Sequence, residues 1–179
     1  KQIRPYAPLA IATAVVWDNE KGVYRYENQQ RRTQSRLPGP MVDGIGNFQY
    51  FLDAAQTMPG RGQFLPWEFL VHVINHTTPI EERRWAIANY QPKRFEIGKC
   101  YQDVPYDHEM LQTQSEICRL AGKDYTLANL RQFGGVCSNQ ADFAARVAKS
   151  LGVPATAITG QSRFGGGHAW VMWVVLKNV

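Results

Sequence analysis

The stretch Phe133-Gly134-Gly135-Val136-Cys137-Ser138-Asn139-Gln140-Ala141 decides how the second half of this 179-residue chain folds. The two glycines permit a sharp turn that other residues would resist. After the cysteine, small apolar residues recur at helical spacing, at Ala141, Ala144, Ala145, Ala148 and Leu151. Gly152 and Pro154 then end the pattern. The sequence therefore predicts a helix that begins at Cys137 and packs its alanine-rich face closely on a sheet.

A cysteine at the start of a helix is well placed for nucleophilic chemistry. The helix dipole favours negative charge there, and a neighbouring imidazole can convert the thiol into a thiolate. The segment Gly165-Gly166-Gly167-His168-Ala169-Trp170 offers an imidazole where a glycine run meets a predicted strand, residues 168–176. Both faces of that strand are apolar, so we expect it to be central in its sheet. We expect His168 to face a cleft and to lie within bonding distance of Cys137.

The two segments together resemble the transglutaminase-like superfamily. The resemblance is carried in order by Gly134-Gly135-Val136-Cys137, Gln140-Ala141, Leu151-Gly152-Val153-Pro154-Ala155 and His168-Ala169-Trp170-Val171. It implies an α+β fold with a papain-like core, in which the nucleophile helix packs on an antiparallel sheet. It also implies that Cys137 is the nucleophile and His168 its base.

The third member of the expected triad has no match in this sequence. In the family, an aspartate on the following strand orients the histidine. The only acidic residue after Cys137 is Asp142, which lies inside the nucleophile's own helix. We expect the missing acid to lie beyond Val179, in a domain truncated at its C-terminus. The alternative is Asn178, since an asparagine has this role in papain-like enzymes.

An acyl-transfer site also needs hydrogen-bond donors for the oxyanion. The backbone N–H of Cys137 is the natural first donor. In the family a second donor comes from upstream, and the candidates here are Tyr101, Tyr106 and Gln132. The sequence does not choose among them.

The glycine-rich segment 160–167 precedes the histidine. It either brings Arg163 and Phe164 to a substrate cleft or simply connects two strands. Trp170 alternates onto the same strand face as His168. It either shields the imidazole from water or belongs to the ordinary core.

Composition excludes several classes of function. With 44% hydrophobic and 12% aromatic residues the chain is globular rather than disordered. The net charge of +5 is spread thinly, and Arg31-Arg32 and Arg83-Arg84 are basic pairs too short for a nucleic-acid stripe. No apolar stretch reaches the length needed to span a membrane. We expect neither nucleic acid nor membrane as a partner.

Metal ligands are not expected either. The cysteines Cys100, Cys118 and Cys137 have no CxxC spacing. His72 and His76 are four residues apart, but the predicted helix ends before His76 and no third ligand lies nearby.

The rest of the chain divides at about residue 60. Residues 8–17 and 23–26 predict a β-hairpin within an N-terminal extension, residues 1–60, and residues 61–179 form the transglutaminase-like domain. Within that domain the pattern predicts helices over residues 67–75 and 107–121. It also predicts a helix that starts at Pro79, with Thr78 as part of a capping box, and one that starts at Leu127 after Thr126.

These features predict cysteine-dependent acyl chemistry on amide bonds through a Cys137 thioester, without metal or organic cofactor. Water as acceptor gives a protease or amidase, and a lysine amine gives protein-glutamine acyl transfer. The expected partner is a peptide or protein substrate. The alternative is a catalytically inactive module that keeps the fold for binding or scaffolding. The compartment and the oligomeric state are left open; one option is a soluble exported protein whose signal has been removed.

Overall fold

A computed structural model describes residues 4–19, 21–25, 27–54, 65–161, 163 and 165–174, with the side chain of Asn28 excepted. These described residues form nine α-helices and two β-strands. The helices are α1 (Ala7–Trp17), α2 (Glu27–Arg32), α3 (Gly44–Ala54), α4 (Trp67–Ile74), α5 (Ile80–Tyr90), α6 (Ile97–Cys100), α7 (His108–Gln112), α8 (Leu127–Phe133) and α9 (Cys137–Ser150). The strands are β1 (Ala155–Gln161) and β2 (Gly167–Trp173), and short 3-10 turns cover Arg4–Tyr6, Gln91–Glu96 and Tyr101–Asp103.

Helix α9 is the central element of the fold. It begins at Cys137, as the sequence predicts, and every residue from Ser138 to Ser150 is buried. One side packs on β1 and β2, and other sides contact α4, α5, α6 and α8. The close approach is possible because the sheet-facing side carries alanines rather than larger residues. A left-handed glycine, Gly152 with φ of +72°, follows the helix and ends it.

The two strands pair antiparallel, with His168 opposite Gly160 and Ala169 opposite Thr159. This confirms the α+β class. Within the described part of the chain β1 is the only neighbour of β2. Ala169 and Val171 are buried, whereas Met172 on the other face is 54% exposed. The expectation that this strand is central in its sheet is therefore not met among the described residues, where it has one neighbour and α9 covers one of its two apolar faces.

The predicted N-terminal hairpin is wrong, because residues 7–17 form helix α1. A short apolar run fits a strand or a buried helix equally well by periodicity. The helix is favoured because Leu9, Ala12 and Val16 fall on one face and join the core cluster of α4. Tyr24 forms an isolated bridge with His76 instead of a hairpin.

The proposed boundary at residues 60 and 61 lies outside the described residues, and it stays a prediction. Hydrogen bonds from Tyr24, Arg32 and Tyr50 nevertheless join the first 54 residues to α9. The Tyr24 hydroxyl donates to Asp142 Oδ1 at 2.6 Å, and the Tyr50 hydroxyl donates to the Ser150 carbonyl oxygen at 3.2 Å.

The middle helices follow the sequence in part. Helix α4 ends at Ile74, before His76, as expected. Helix α8 starts after Thr126, whose side chain accepts the Asn129 N–H at 3.1 Å.

Two details of these helices differ from the sequence pattern. Helix α5 begins after Pro79 without a side-chain cap, because the Thr78 hydroxyl contacts His76 and Arg146 instead. Helix α7 stops at Gln112, because Gln114 and Ser115 adopt the left-handed conformation, with φ of +51° and +75°.

Candidate active site

The glycine turn before Cys137 holds a neighbouring segment against the start of α9. Gly134 has φ of +89°, and a Cβ there would collide with the Pro105 carbonyl oxygen. Gly135 donates its N–H to that oxygen at 3.0 Å and accepts the Asp107 N–H at 3.0 Å. The segment 105–107 therefore runs beside the turn in a fixed register.

Side chains of the first turn of α9 complete this arrangement. Asn139 accepts the Val136 N–H at 3.0 Å through Oδ1 and donates to the Tyr125 hydroxyl at 3.1 Å. Gln140 donates to the Val104 carbonyl oxygen at 2.8 Å. Cys137, at the first helical position, is only partly buried.

The other two cysteines, Cys100 and Cys118, are buried. Burial raises the pKa of the Cys100 thiol to about 12 and also raises the pKa of Cys118. Both are therefore poor nucleophiles.

Two tyrosines lie near enough to the Cys137 thiol for its charge to influence their pKa values. Burial, together with the nearby Cys137, raises the pKa of Tyr101 to about 12. The same two causes raise the pKa of Tyr106, and the Cys137 backbone N–H, which faces its hydroxyl oxygen, opposes them. The Tyr101 hydroxyl donates to the Ala169 carbonyl oxygen at 2.9 Å. Gln132, the third oxyanion candidate, is exposed on α8.

His168 is the second residue of β2 and is exposed. Its imidazole stacks on Trp170, with ring centroids 6.1 Å apart. Because side chains alternate along a strand, it lies on the face opposite Ala169 and Val171, which are buried beneath the sheet. Among the described residues no hydrogen bond joins it to Cys137. Tyr101 links the two regions, since it lies beside Cys137 and binds the residue after His168.

The structure also describes two of the residues that the sequence suggests for the substrate cleft. Arg163 is exposed in the turn between the strands, and Trp170 is 40% exposed on the same face as His168, as its spacing predicts. Phe164 and Asn178 lie outside the described residues. Asp142 does not orient the imidazole, because it is fully buried and bound by Tyr24 and Arg146.

Sequence reasoning missed a buried ionic cluster on α9. Arg146 Nη2 donates to Glu82 Oε2 at 2.6 Å, and Nη1 donates to Asp142 Oδ2 at 3.4 Å. Burial raises the pKa of both carboxyls, and the Arg146 guanidinium opposes that rise. The i, i+4 spacing of Asp142 and Arg146 was a visible signal, but only the tertiary structure brings Glu82 of α5 to it.

Lys149 is a second buried charge on the same helix. Its ammonium donates to the His72 carbonyl oxygen and to Asn75 Oδ1. Burial lowers the pKa of Lys149 to about 7. Burial, with Arg83 nearby, lowers the pKa of His76 well below its usual value, and its Nδ1 lies 3.0 Å from the Thr78 hydroxyl. In the part of the chain that the structure describes, no three His, Cys, Asp or Glu residues are grouped to hold a metal ion.

Comparison of the chain with protein-family models, with curated proteins and with solved structures gives no match. No helix among the described residues is long and apolar enough to cross a membrane.

Proposed function

We propose that this protein is a cysteine-dependent hydrolase of amide bonds, built on a papain-like core of the transglutaminase-like type. One observation carries the proposal. Cys137 is the partly exposed first residue of an otherwise buried helix, and two tyrosine hydroxyls adjoin it. A thiol at this end of a helix benefits from the dipole when it becomes a thiolate.

The reaction has two halves. The Cys137 sulfur attacks the carbonyl carbon of an amide, His168 takes the thiol proton, and that proton passes to the leaving amine as the C–N bond breaks. The product is a thioester. Water then attacks the thioester carbon, releases the acid and regenerates the thiol; a lysine amine in place of water gives acyl transfer.

Tyr106 is the best supported oxyanion donor. Its hydroxyl lies near Cys137, and among the described residues no hydrogen bond takes its proton, so that proton is available to a substrate oxygen. Its raised pKa keeps that proton in place at neutral pH. Tyr101 fits this role less well, because its proton already binds the Ala169 carbonyl oxygen.

The base must approach around the edge of β2. In the stacked position on Trp170 the imidazole faces away from α9. Catalysis requires it to turn toward the edge of the strand where Tyr101 binds Ala169. An acidic or amide group from beyond residue 174 would then orient the ring; Asn178 remains the candidate within this sequence.

Alkylation by iodoacetamide tests whether Cys137 and His168 act as a pair. An ordinary thiol is only about 0.3% ionised at pH 6, so an unassisted cysteine reacts slowly there. We expect Cys137 to be alkylated at pH 6 while Cys100 and Cys118 are not, as mass spectrometry of tryptic peptides would show. His168→Ala should lower the Cys137 rate at pH 6 about 100-fold.

His108 provides the matched comparison. Its ring centroid is 4.9 Å from that of Tyr106, so it is another histidine near the thiol region. We expect His108→Ala to leave the rate at pH 6 within about twofold of the unaltered chain. A loss in His108→Ala rather than in His168→Ala would overturn the assignment of the base.

A binding module is the second candidate. It is favoured by the exposed imidazole, which stacks on Trp170 and makes no hydrogen bond to Cys137 among the described residues. It predicts that Cys137 is alkylated at pH 6 no faster than an ordinary exposed thiol and that His168→Ala has no effect.

A further inference from the structure

A cavity of about 470 Å³ opens beside the start of α9. Arg31, Arg32 and Gln34 line one side, Met110 and Leu111 of α7 line another, and Val136 borders the helix. Its size falls within the range of small-ligand sites. From the sequence alone, the pair Arg31-Arg32 is interpreted as part of an ordinary solvated surface.

The cavity reaches the segment that leads into α9. Val136 borders it and immediately precedes Cys137, and Ser138 immediately follows that cysteine. Arg32 Nη1 donates to the Ser138 hydroxyl at 3.4 Å, so its guanidinium reaches the first turn of α9. A group held in this cavity would therefore lie close to the first turn of α9, where Cys137 is the first residue.

The charge of the lining is one-sided. It contains two arginines and no carboxylate. Within the described residues no Asp or Glu pairs with Arg31 or Arg32, and both side chains are exposed to a ligand. The positive end of α9 adds to the same field. A guanidinium fork matches the two oxygens of a carboxylate, and the apolar side chains of α7 suit a short hydrocarbon stem.

We propose that this cavity binds a carboxylate of the substrate, so that the enzyme prefers peptides with an acidic group close to the amide that it cleaves. This inference rests on the proposed function, because it takes the peptide to be presented to Cys137. The carboxylate can belong to an acidic side chain or to a peptide C-terminus.

Three alkylating probes test the preference. N-iodoacetyl-glutamine α-amide is neutral, N-iodoacetyl-glutamate α-amide carries a side-chain carboxylate, and N-iodoacetyl-glutamine carries a terminal one. In each case the Cys137 sulfur forms a bond to the iodoacetyl carbon and iodide leaves. We expect at least one acid to alkylate Cys137 about tenfold faster than the neutral probe, the effect of one charge-assisted contact. The faster acid identifies the source of the carboxylate.

The double variant Arg31→Gln/Arg32→Gln should abolish the preference, so that the acid and neutral probes alkylate Cys137 at equal rates within this variant. The matched control is Arg4→Gln/Lys21→Gln, which lowers the net charge equally at exposed positions outside the lining. That control should keep the preference. Equal rates for acids and neutral probe, or a preference that survives in the arginine variant, would overturn the inference.

The two proposals fail separately. His168→Ala should slow all three probes together, without changing their ratio. If Cys137 proves inert, the cavity can still be tested by binding N-acetyl-glutamate α-amide and N-acetyl-glutamine, which carry a side-chain and a terminal carboxylate, to the Cys137→Ala chain. NMR shifts of the Val136 and Ser138 amides would report binding of either probe. Shifts that vanish in the arginine variant support the cavity even when the hydrolase proposal fails, and absent shifts overturn it.

Discussion

Gly134 shows how a single residue positions the candidate nucleophile. Its φ of +89° lies in a region that favours glycine, and its Cα hydrogen faces the Pro105 carbonyl oxygen where a side chain would collide. The same carbonyl accepts the Gly135 N–H, which keeps Tyr106 beside Cys137. The glycine in the sequence motif thus has a steric role in assembling the site.

Gly134→Ala should therefore destabilise the protein and disturb the site. We expect the free energy of unfolding in urea to fall by about 3 kcal/mol or more, since backbone strain of about 1–3 kcal/mol adds to a backbone collision. Gly166→Ala is the matched control, because Gly166 has φ of +90° but no atom within 4 Å of an added Cβ. A loss in the control as large as that in Gly134→Ala would contradict the steric account.

At the scale of one element, α9 combines an alanine face with buried charge. Ala144, Ala145 and Ala148 are fully buried, and so are Asp142, Arg146 and Lys149. Arg146 is paired with two carboxylates, whereas Lys149 is bound by neutral oxygens. Protonation of Lys149 within the folded protein is therefore costly.

This predicts a rise in stability between pH 7 and pH 8. The pKa of Lys149 is about 7 in the folded protein and about 10.4 in the unfolded chain. The unfolded chain consequently binds more protons in this window, so the free energy of unfolding increases with pH, with a slope that approaches about 1.4 kcal/mol per pH unit. The window ends below the usual pKa of cysteine, because the raised pKa of Cys100 acts in the opposite direction at higher pH.

Lys149→Met should flatten the slope, and urea denaturation at several pH values would measure it. The control Lys99→Met removes an exposed lysine and should retain the slope. Equal slopes in the two variants would exclude Lys149 as the cause.

At the scale of the whole molecule, the first 54 residues are bound to the helix that carries the nucleophile. The Tyr24 hydroxyl satisfies Asp142, at a separation of 118 residues. Helix α1 packs on α4, which itself contacts α9. Through these contacts the N-terminal part supports the helix that carries the candidate nucleophile.

Tyr24→Phe tests this support. Loss of the hydroxyl leaves a buried carboxylate short of a donor, so we expect the free energy of unfolding to fall by about 1–3 kcal/mol in urea denaturation. Tyr6→Phe is the control, because Tyr6 packs against the cluster of α1 and α4 through its ring and should change stability by less than about 0.5 kcal/mol. If Tyr24→Phe left the free energy of unfolding unchanged, the N-terminal part would contribute little to the stability of α9.

The sequence by itself determined the features that depend on near neighbours in the chain. These are the start of α9 at Cys137, its alanine face, the Thr126 cap and the shared face of His168 and Trp170, since turns, caps and periodicity act over a few residues. Only the tertiary structure decided the helical form of α1, the burial of Asp142 and Lys149, the cationic cavity, and the strand face on which His168 lies relative to α9. Each of these depends on partners far away in the chain, because burial and packing direction follow from which elements meet and not from local pattern.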